Sequence, residues 1–80
     1  MLTDDDIKII LERSFKPYRC VVQLRPNEQV RFKILHGTNQ IYVVSPGIEL
    51  SSLREESLLT ALIIKVRAQL KANGYKLEAW

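Results

Sequence analysis

The residue types that most often carry catalysis or bind metals are scarce in this chain. It contains one cysteine, Cys20, and one histidine, His36, so a single chain cannot supply the several Cys and His ligands of a typical zinc site. Cys20 is in phase with Val22 and Leu24 in an alternating segment, which favours a buried and unreactive thiol. His36 precedes a glycine and is interpreted as an ordinary turn residue. Neither residue predicts a catalytic or metal site.

Serine nucleophiles and phosphate-binding loops are not indicated either. The serines of the second half, Ser51, Ser52 and Ser57, have no general base or nucleophile-elbow glycines near them in sequence. Glycines occur only at positions 37, 47 and 74, too far apart for a loop that cradles phosphate. We therefore predict a protein without enzymatic activity, cofactor or metal, which acts by binding a partner.

Length and composition favour one small cytoplasmic domain. Eighty residues leave no room for a second core. The longest apolar run, Ala61–Ile64, is far shorter than the ~20 residues that cross a bilayer. No basic and apolar leader precedes the acidic residues 4–6, and a lone cysteine cannot form an internal disulfide. These features predict a reducing cytoplasm and no membrane association.

Charge is distributed unevenly along the chain. The net charge is +3, but one segment carries six bases and a single acid, Glu28. The bases of that segment are Arg13, Lys16, Arg19, Arg25, Arg31 and Lys33. Acids cluster at residues 4–6 and 55–56, near expected helix N-termini, where they offset the helix dipole. The basic segment is therefore the charge feature with functional potential.

Hydrophobic spacing predicts two helices around three strands. The first helix is expected over Asp4–Phe15, capped by Thr3 with Asp6 three residues later. The strands are expected at Tyr18–Arg25, Gln29–Leu35 and Gln40–Ser45, the last ended by Pro46-Gly47 and uncertain in register because it is apolar throughout. The second helix is expected to begin between Ser52 and Glu56, with a capping box at Ser52–Glu55, and to end at Asn73-Gly74.

The α-β-β-β-α order predicts an α+β two-layer sandwich. Short turns pair the strands as a three-stranded antiparallel meander, and both helices cover one face of the sheet. That face is expected to carry Cys20, Val22, Leu24, Val30, Phe32 and Ile34. The helices should bury Ile7, Ile10, Leu11 and Ser14, and Leu59, Leu62, Ile63, Val66 and Leu70. We expect one domain over residues 1–74 and a tail over residues 75–80, loose unless Leu77 and Trp80 dock.

Two stretches resemble a small family labelled domain of unknown function 1652, found mainly in pseudomonads. The first runs from Ile9 to Cys20 and matches the family's isoleucine-rich helix followed by Glu, Phe, Pro and an Arg-Cys pair. The second runs from Val43 to Leu53, with Gly47-Ile48 and Leu53 in the family's places. The resemblance spans roughly residues 7 to 71. It departs from the family at Asn27-Glu28 and at Pro46. It implies a bacterial cytoplasmic protein and carries no activity or site residues.

The uncovered face of the sheet is the candidate binding face. It is expected to present Arg19, Val21, Gln23, Arg25, Arg31, Lys33, Leu35 and Tyr42. One hypothesis is a homodimer or protein partner that buries the apolar members Val21, Leu35 and Tyr42. The alternative is nucleic acid, with the bases on phosphates and Tyr42 or Tyr18 stacked on a base. The α-β-β-β-α order is also that of double-stranded RNA-binding domains. That binding mode is rejected, because the acids Glu55-Glu56 at the start of the second helix would repel phosphate.

Overall fold

The computed structural model describes residues 2–24 and 28–79, with side chains at all of these except residues 44–47. The elements follow one another as α1 (Asp4–Arg13), β1 (Arg19–Leu24), β2 (Gln29–His36), β3 (Asn39–Glu49), α2 (Leu50–Leu53) and α3 (Glu56–Ala72). The strands form one antiparallel sheet in the order β1-β2-β3. The expected α+β fold with a three-stranded meander is confirmed.

Helix α1 begins with the predicted capping box. The Thr3 hydroxyl accepts a hydrogen bond from the Asp6 N–H, and the Asp6 carboxylate accepts one from the Thr3 N–H, each at 3.1 Å. The helix ends at Arg13, two residues before the expected end, and Ser14 is its C-cap. Phe15 then turns inward and is fully buried. The Lys16–Pro17 peptide bond is cis.

The β2–β3 connection is a two-residue turn in which Gly37 has a φ of +64°. His36 pairs with Asn39 across it, and a turn this tight requires a residue with positive φ, which glycine adopts readily. A turn between the first two strands was predicted at Pro26-Asn27-Glu28, but residues 25–27 lie outside the described residues. Glu28, which follows them, has a φ of +59°.

Strand β3 is longer than predicted. It runs to Glu49, so the expectation that Pro46-Gly47 ends it is wrong. Two features of the backbone explain this. The strand lies at the edge of the sheet, where a proline costs no ladder hydrogen bond if it faces outward. The register also shifts between Val30 and Phe32, and such a bulge accommodates extra residues on one strand.

The second half contains two helices rather than one. The short helix α2 directly follows β3, and α3 begins at Glu56, inside the expected range. The predicted capping box at Ser52–Glu55 is wrong, because Ser52 belongs to α2 and Glu55 is the N-cap of α3 without a side-chain hydrogen bond. The C-terminal end agrees with the prediction, since Asn73 is the C-cap and Gly74 has a φ of +88°.

The core lies between the helices and one face of the sheet. Its buried apolar members are Ile7, Leu11, Phe15, Cys20, Val30, Phe32, Ile34, Leu50, Leu53, Leu59, Ile63, Val66 and Leu70. The rings of Phe15 and Phe32 stack with centroids 5.9 Å apart, which joins the end of α1 to the sheet. Leu24 was expected in this core but is 40% exposed, because it ends an edge strand and lacks a neighbouring strand on one side.

Helices α1 and α3 run in the same direction. Near the start of α1, the Leu2 N–H donates to the Arg54 carbonyl at 3.2 Å, and Arg54 Nη2 lies 2.7 Å from Asp4 Oδ1. Past the end of α1, Arg67 Nη1 donates to the Ser14 carbonyl. Since Arg54 precedes α3 and Arg67 lies within it, the two helices form one parallel layer over the sheet.

The residues after α3 are held against the rest of the molecule. Tyr75 and Leu77 pack on the core, and the Glu78 N–H donates to the Lys16 carbonyl at 2.9 Å. Arg67 Nη2 donates to the Glu78 carbonyl at 2.6 Å. Leu77 therefore docks, while Trp80 lies outside the described residues. The boundary between a domain of residues 1–74 and a tail stays a prediction.

Candidate binding face of the sheet

The face of the sheet opposite the helices is built from rows of paired residues. In an antiparallel sheet, directly paired residues project from the same face. Val21 pairs with Lys33, and Lys33 pairs with Val43, so one row carries a base between two valines. Val43 is 42% exposed. This row is the centre of the open sheet face.

Two further rows flank this centre. On one side Arg19 pairs with Leu35, which pairs with Gln40; on the other side Gln23 pairs with Arg31. The open sheet face thus brings together six of the residues that were predicted there, Arg19, Val21, Gln23, Arg31, Lys33 and Leu35. Arg25 was also predicted on it, but lies outside the described residues.

Tyr42 was predicted on this face, and that placement is wrong. Its partner in the register is Ile34, a fully buried core residue, and Tyr42 itself packs against the core. A register shift between Ile34 and Leu35 makes both Ile41 and Tyr42 contact the core. Alternation along the sequence cannot show such a shift in an all-apolar strand.

Val43 and Gln40 take the place of Tyr42, and sequence reasoning missed both. Together with neighbours they line an open hollow of about 190 Å³ at the centre of the face. The lining residues are Val21, Gln23, Arg31, Phe32, Lys33, Gln40 and Val43. The hollow therefore combines two valines with two bases and two amide side chains, which suits a partner side chain that is partly apolar and partly anionic.

The charge of the open sheet face is predominantly positive. Arg19, Arg31 and Lys33 occupy three neighbouring rows, and strands lie about 4.8 Å apart. The register places one described acid on the same side, Glu49, as the partner of Gln29. It lies at the far end of the face and does not line the hollow. The centre of the face is therefore attractive to anionic groups.

Tyr18 belongs to a separate cluster of aromatic rings. Its ring meets those of His36 and Tyr75 edge to face, with centroids 5.3 Å and 5.7 Å away. Tyr18 also packs against the core. With Tyr42 on the core side as well, neither tyrosine that was proposed to stack on a nucleic-acid base lies on the open sheet face.

Cys20 is a core residue, as its phase in the strand predicted. It pairs with Ile34 and is buried. Burial, together with the negative charge of Glu12, raises the pKa of the Cys20 thiol to about 12. The thiol is therefore protonated at neutral pH, the form that is a poor nucleophile.

A metal-binding group or a membrane-spanning helix would also indicate a class of site. Within residues 2–24 and 28–79, no three His, Cys, Asp or Glu side chains gather in a way that could hold a metal ion. No helix in the same part of the chain is long and apolar enough to cross a bilayer.

Comparison with known proteins identifies a family. No curated protein and no solved structure matches the chain. A family model described as "protein of unknown function (DUF1652)" matches residues 5–70, which include all but the first residue of α1, the whole sheet and most of α3. The match confirms the resemblance carried by residues 9–20 and 43–53. The chain belongs to the DUF1652 family.

Proposed function

We propose that the protein is a non-enzymatic interaction module of the bacterial cytoplasm, and that its open sheet face binds an acidic, partly apolar segment of a protein partner. The observation that supports this most is the central row Val21–Lys33–Val43, with Arg31 beside it. A partner that matches this row must present carboxylates next to aliphatic side chains. Electrostatic complementarity of this kind sets specificity and speeds association.

A second copy of the chain is a poorer match for this face. A symmetric dimer brings the same patch of both subunits together. With the two-fold axis at the centre of the face, Lys33 and Arg31 would approach their own copies, and like charges in contact are destabilising. Glu49 is too far along the face to relieve this at the centre. The open sheet face is therefore assigned to a partner of opposite charge.

Nucleic acid is the alternative, favoured by the three bases Arg19, Arg31 and Lys33 on one face. Phosphate contacts give affinity without sequence preference and depend steeply on salt. Single-strand binders add aromatic stacking platforms, whereas Tyr18 and Tyr42 contact the core here. The valines Val21 and Val43 contribute nothing to phosphate binding, but they do contribute to binding an apolar side chain.

A binding experiment with defined probes distinguishes an acidic protein partner from nucleic acid. Fluorescence anisotropy should compare a labelled peptide of alternating glutamate and leucine with a single-stranded RNA oligonucleotide of equal charge, at 50 mM and 200 mM salt. We expect the peptide to bind more tightly than the RNA at the higher salt. Lys33→Glu should weaken peptide binding about tenfold, which corresponds to about 1.4 kcal/mol.

Matched controls fix the location of the site. Lys65→Glu changes the same charge on the exposed side of α3 and should leave peptide binding unchanged. Val43→Ser should weaken peptide binding and leave any RNA binding intact, because it removes only an apolar contact. If RNA binds more tightly than the peptide at 200 mM salt, the nucleic-acid alternative replaces this proposal. If Lys33→Glu and Lys65→Glu weaken peptide binding equally, the peptide does not bind at the open sheet face.

A further inference from the structure

The outer side of the helical layer carries apolar side chains that the fold does not use. Among the large hydrophobic residues of the described chain, Ile64 and Leu58 of α3 are the most exposed, at 55% and 50%, and Ile9 of α1 follows at 47%. All three lie on the two parallel helices, on the side of the molecule opposite the open sheet face. We infer that α3 packs antiparallel against α3 of a second copy of this chain, through the side that carries Leu58 and Ile64.

The spacing along α3 produces a continuous surface for such packing. Consecutive residues of an α-helix are 100° apart, so Ala61 and Ala68 lie almost on one line. Leu58 and Ile64 are three residues before and after Ala61, about 60° to either side of it. Ala61, Ala68 and Ala72 are all exposed. Short side chains along the centre allow two helix axes to approach to about 8 Å, at the close end of the usual range, with Leu58 and Ile64 packing at the flanks.

The charges along α3 favour a second copy in the antiparallel direction. Its N-terminal end carries the exposed acids Glu55 and Glu56, and its C-terminal half carries the exposed bases Lys65 and Lys71. An antiparallel pair places the acidic end of each helix beside the basic half of the other, twice by symmetry. A parallel pair would place like charges together. The surface is therefore complementary to itself in one orientation only.

One register satisfies both the apolar and the charged residues. When Ala61 is opposite Ala68 of the second copy, Ile64 lies beside Ile64 of that copy on one flank, and Leu58 lies beside Ala72 of that copy on the other flank. Lys65 lies on the same flank as Leu58, and its long aliphatic chain lets its ammonium group stay in water. Glu56 comes within two residues of Lys71 of the second copy. The two-fold axis passes between residues 64 and 65.

The size of the contact between the two α3 helices determines how tightly the dimer is expected to form. A single pair of 17-residue helices is about 25 Å long, which belongs with small interfaces that associate weakly and reversibly. Ile9 adds apolar surface on the neighbouring helix of the same layer. We expect a dimer that forms with a dissociation constant on the order of micromolar. This inference does not depend on the function assigned to the open sheet face.

The oligomeric state of the full chain tests the inference. Sedimentation equilibrium between 5 and 500 µM, concentrations chosen to bracket the micromolar range, should show a monomer–dimer equilibrium. Ile64→Glu should raise the dissociation constant at least tenfold while circular dichroism stays unchanged, because the residue is exposed. Val43→Glu, at a similarly exposed valine of the sheet, is the matched control and should leave dimerisation unchanged. A monomer throughout, or a dimer lost with Val43→Glu and kept with Ile64→Glu, would overturn the inference.

Cysteine crosslinking tests the direction of the helices. Cys20 is buried and can stay in place. An equimolar mixture of the Ala61→Cys and Ala68→Cys variants, oxidised under mild conditions, should give mainly the mixed crosslink between positions 61 and 68. Each variant alone should crosslink more slowly. Dominant crosslinks between two copies of position 61, identified by mass spectrometry, would contradict the antiparallel arrangement.

Discussion

Ile34 and Tyr42 are direct partners across strands β2 and β3, which places the Tyr42 side chain on the core side of the sheet. Its neighbour Val43 lies on the open sheet face. Tyr42→Ala is therefore expected to lower the free energy of unfolding by about 2 kcal/mol, because it removes a partly buried aromatic ring from the core. Val43→Ala should cost under about 0.5 kcal/mol. Urea denaturation of the two variants measures the difference. A larger loss of stability for Val43→Ala than for Tyr42→Ala would show that Val43, and not Tyr42, faces the core.

Arg67 joins the end of α1 to the residues after α3 through the carbonyls of Ser14 and Glu78. Arg67→Met keeps the aliphatic stem and removes these charged hydrogen bonds, so we expect a loss of about 2 kcal/mol. The Glu78 amide, which donates to Lys16, should exchange its hydrogen faster. Lys65→Met, on the exposed side of the same helix, is the control. Unchanged exchange at Glu78 in the Arg67 variant would show that other contacts hold these residues.

The Cys20 thiol is buried, and its pKa is raised to about 12. A thiol reagent such as 5,5′-dithiobis(2-nitrobenzoate) should therefore react with the folded protein only through opening of the structure, far more slowly than with the unfolded chain in urea. The reaction rate at pH 8, followed by absorbance, checks this. A native rate equal to that of the unfolded chain would place the thiol at the surface.

Asp6 links stability to pH through the capping box. The hydrogen bond from the Thr3 N–H, together with that from the Thr3 side chain, lowers the pKa of Asp6 below its ordinary 3.8. A carboxyl group whose pKa is lower in the folded state stabilises the fold fully at pH values above its unfolded-state pKa. This stabilisation disappears as the pH falls through its folded-state pKa. Asp6→Asn should therefore be less stable than the native chain at pH 7, and the difference should be smaller at pH 2.5.

The neighbouring Asp5→Asn variant separates the capping box from general helix-dipole effects, because Asp5 shares the first turn of α1 and takes no part in the hydrogen bonds between Thr3 and Asp6. Urea midpoints at the two pH values give the comparison. If Asp5→Asn and Asp6→Asn show the same pH dependence, the capping box is not its source.

Local signals in the sequence were sufficient for much of this fold. The capping box at Thr3 predicted the start of α1, and the glycine at position 74 predicted the end of α3. Both signals depend only on residues within one helical turn. Clear alternation in β2 identified Val30, Phe32 and Ile34 as buried. The family match over residues 5–70 was foreseeable from short stretches of residues 9–20 and 43–53.

The errors concentrate where position depends on distant residues. Strand β3 is apolar on both sides, so its register and the shifts beside Ile34 are set by pairing with β2 and not by its own pattern. Pro46 was taken as a strand end because a proline usually removes a ladder hydrogen bond, which an edge strand does not need. For the binding face, the sequence therefore identified the residues from β1 and β2 and missed Val43 and Gln40 from β3.

The separation of α1 from α3 along the chain has a consequence for synthesis on the ribosome. Ile7, Leu11 and Phe15 of α1 share one core with Leu59, Ile63, Val66 and Leu70 of α3, and roughly fifty residues separate the two groups. At roughly 5–20 residues per second, several seconds pass before α3 emerges. During that interval the nascent α1 and sheet expose their apolar side chains. Until α3 docks, this exposed apolar surface is of the kind that nascent-chain chaperones bind.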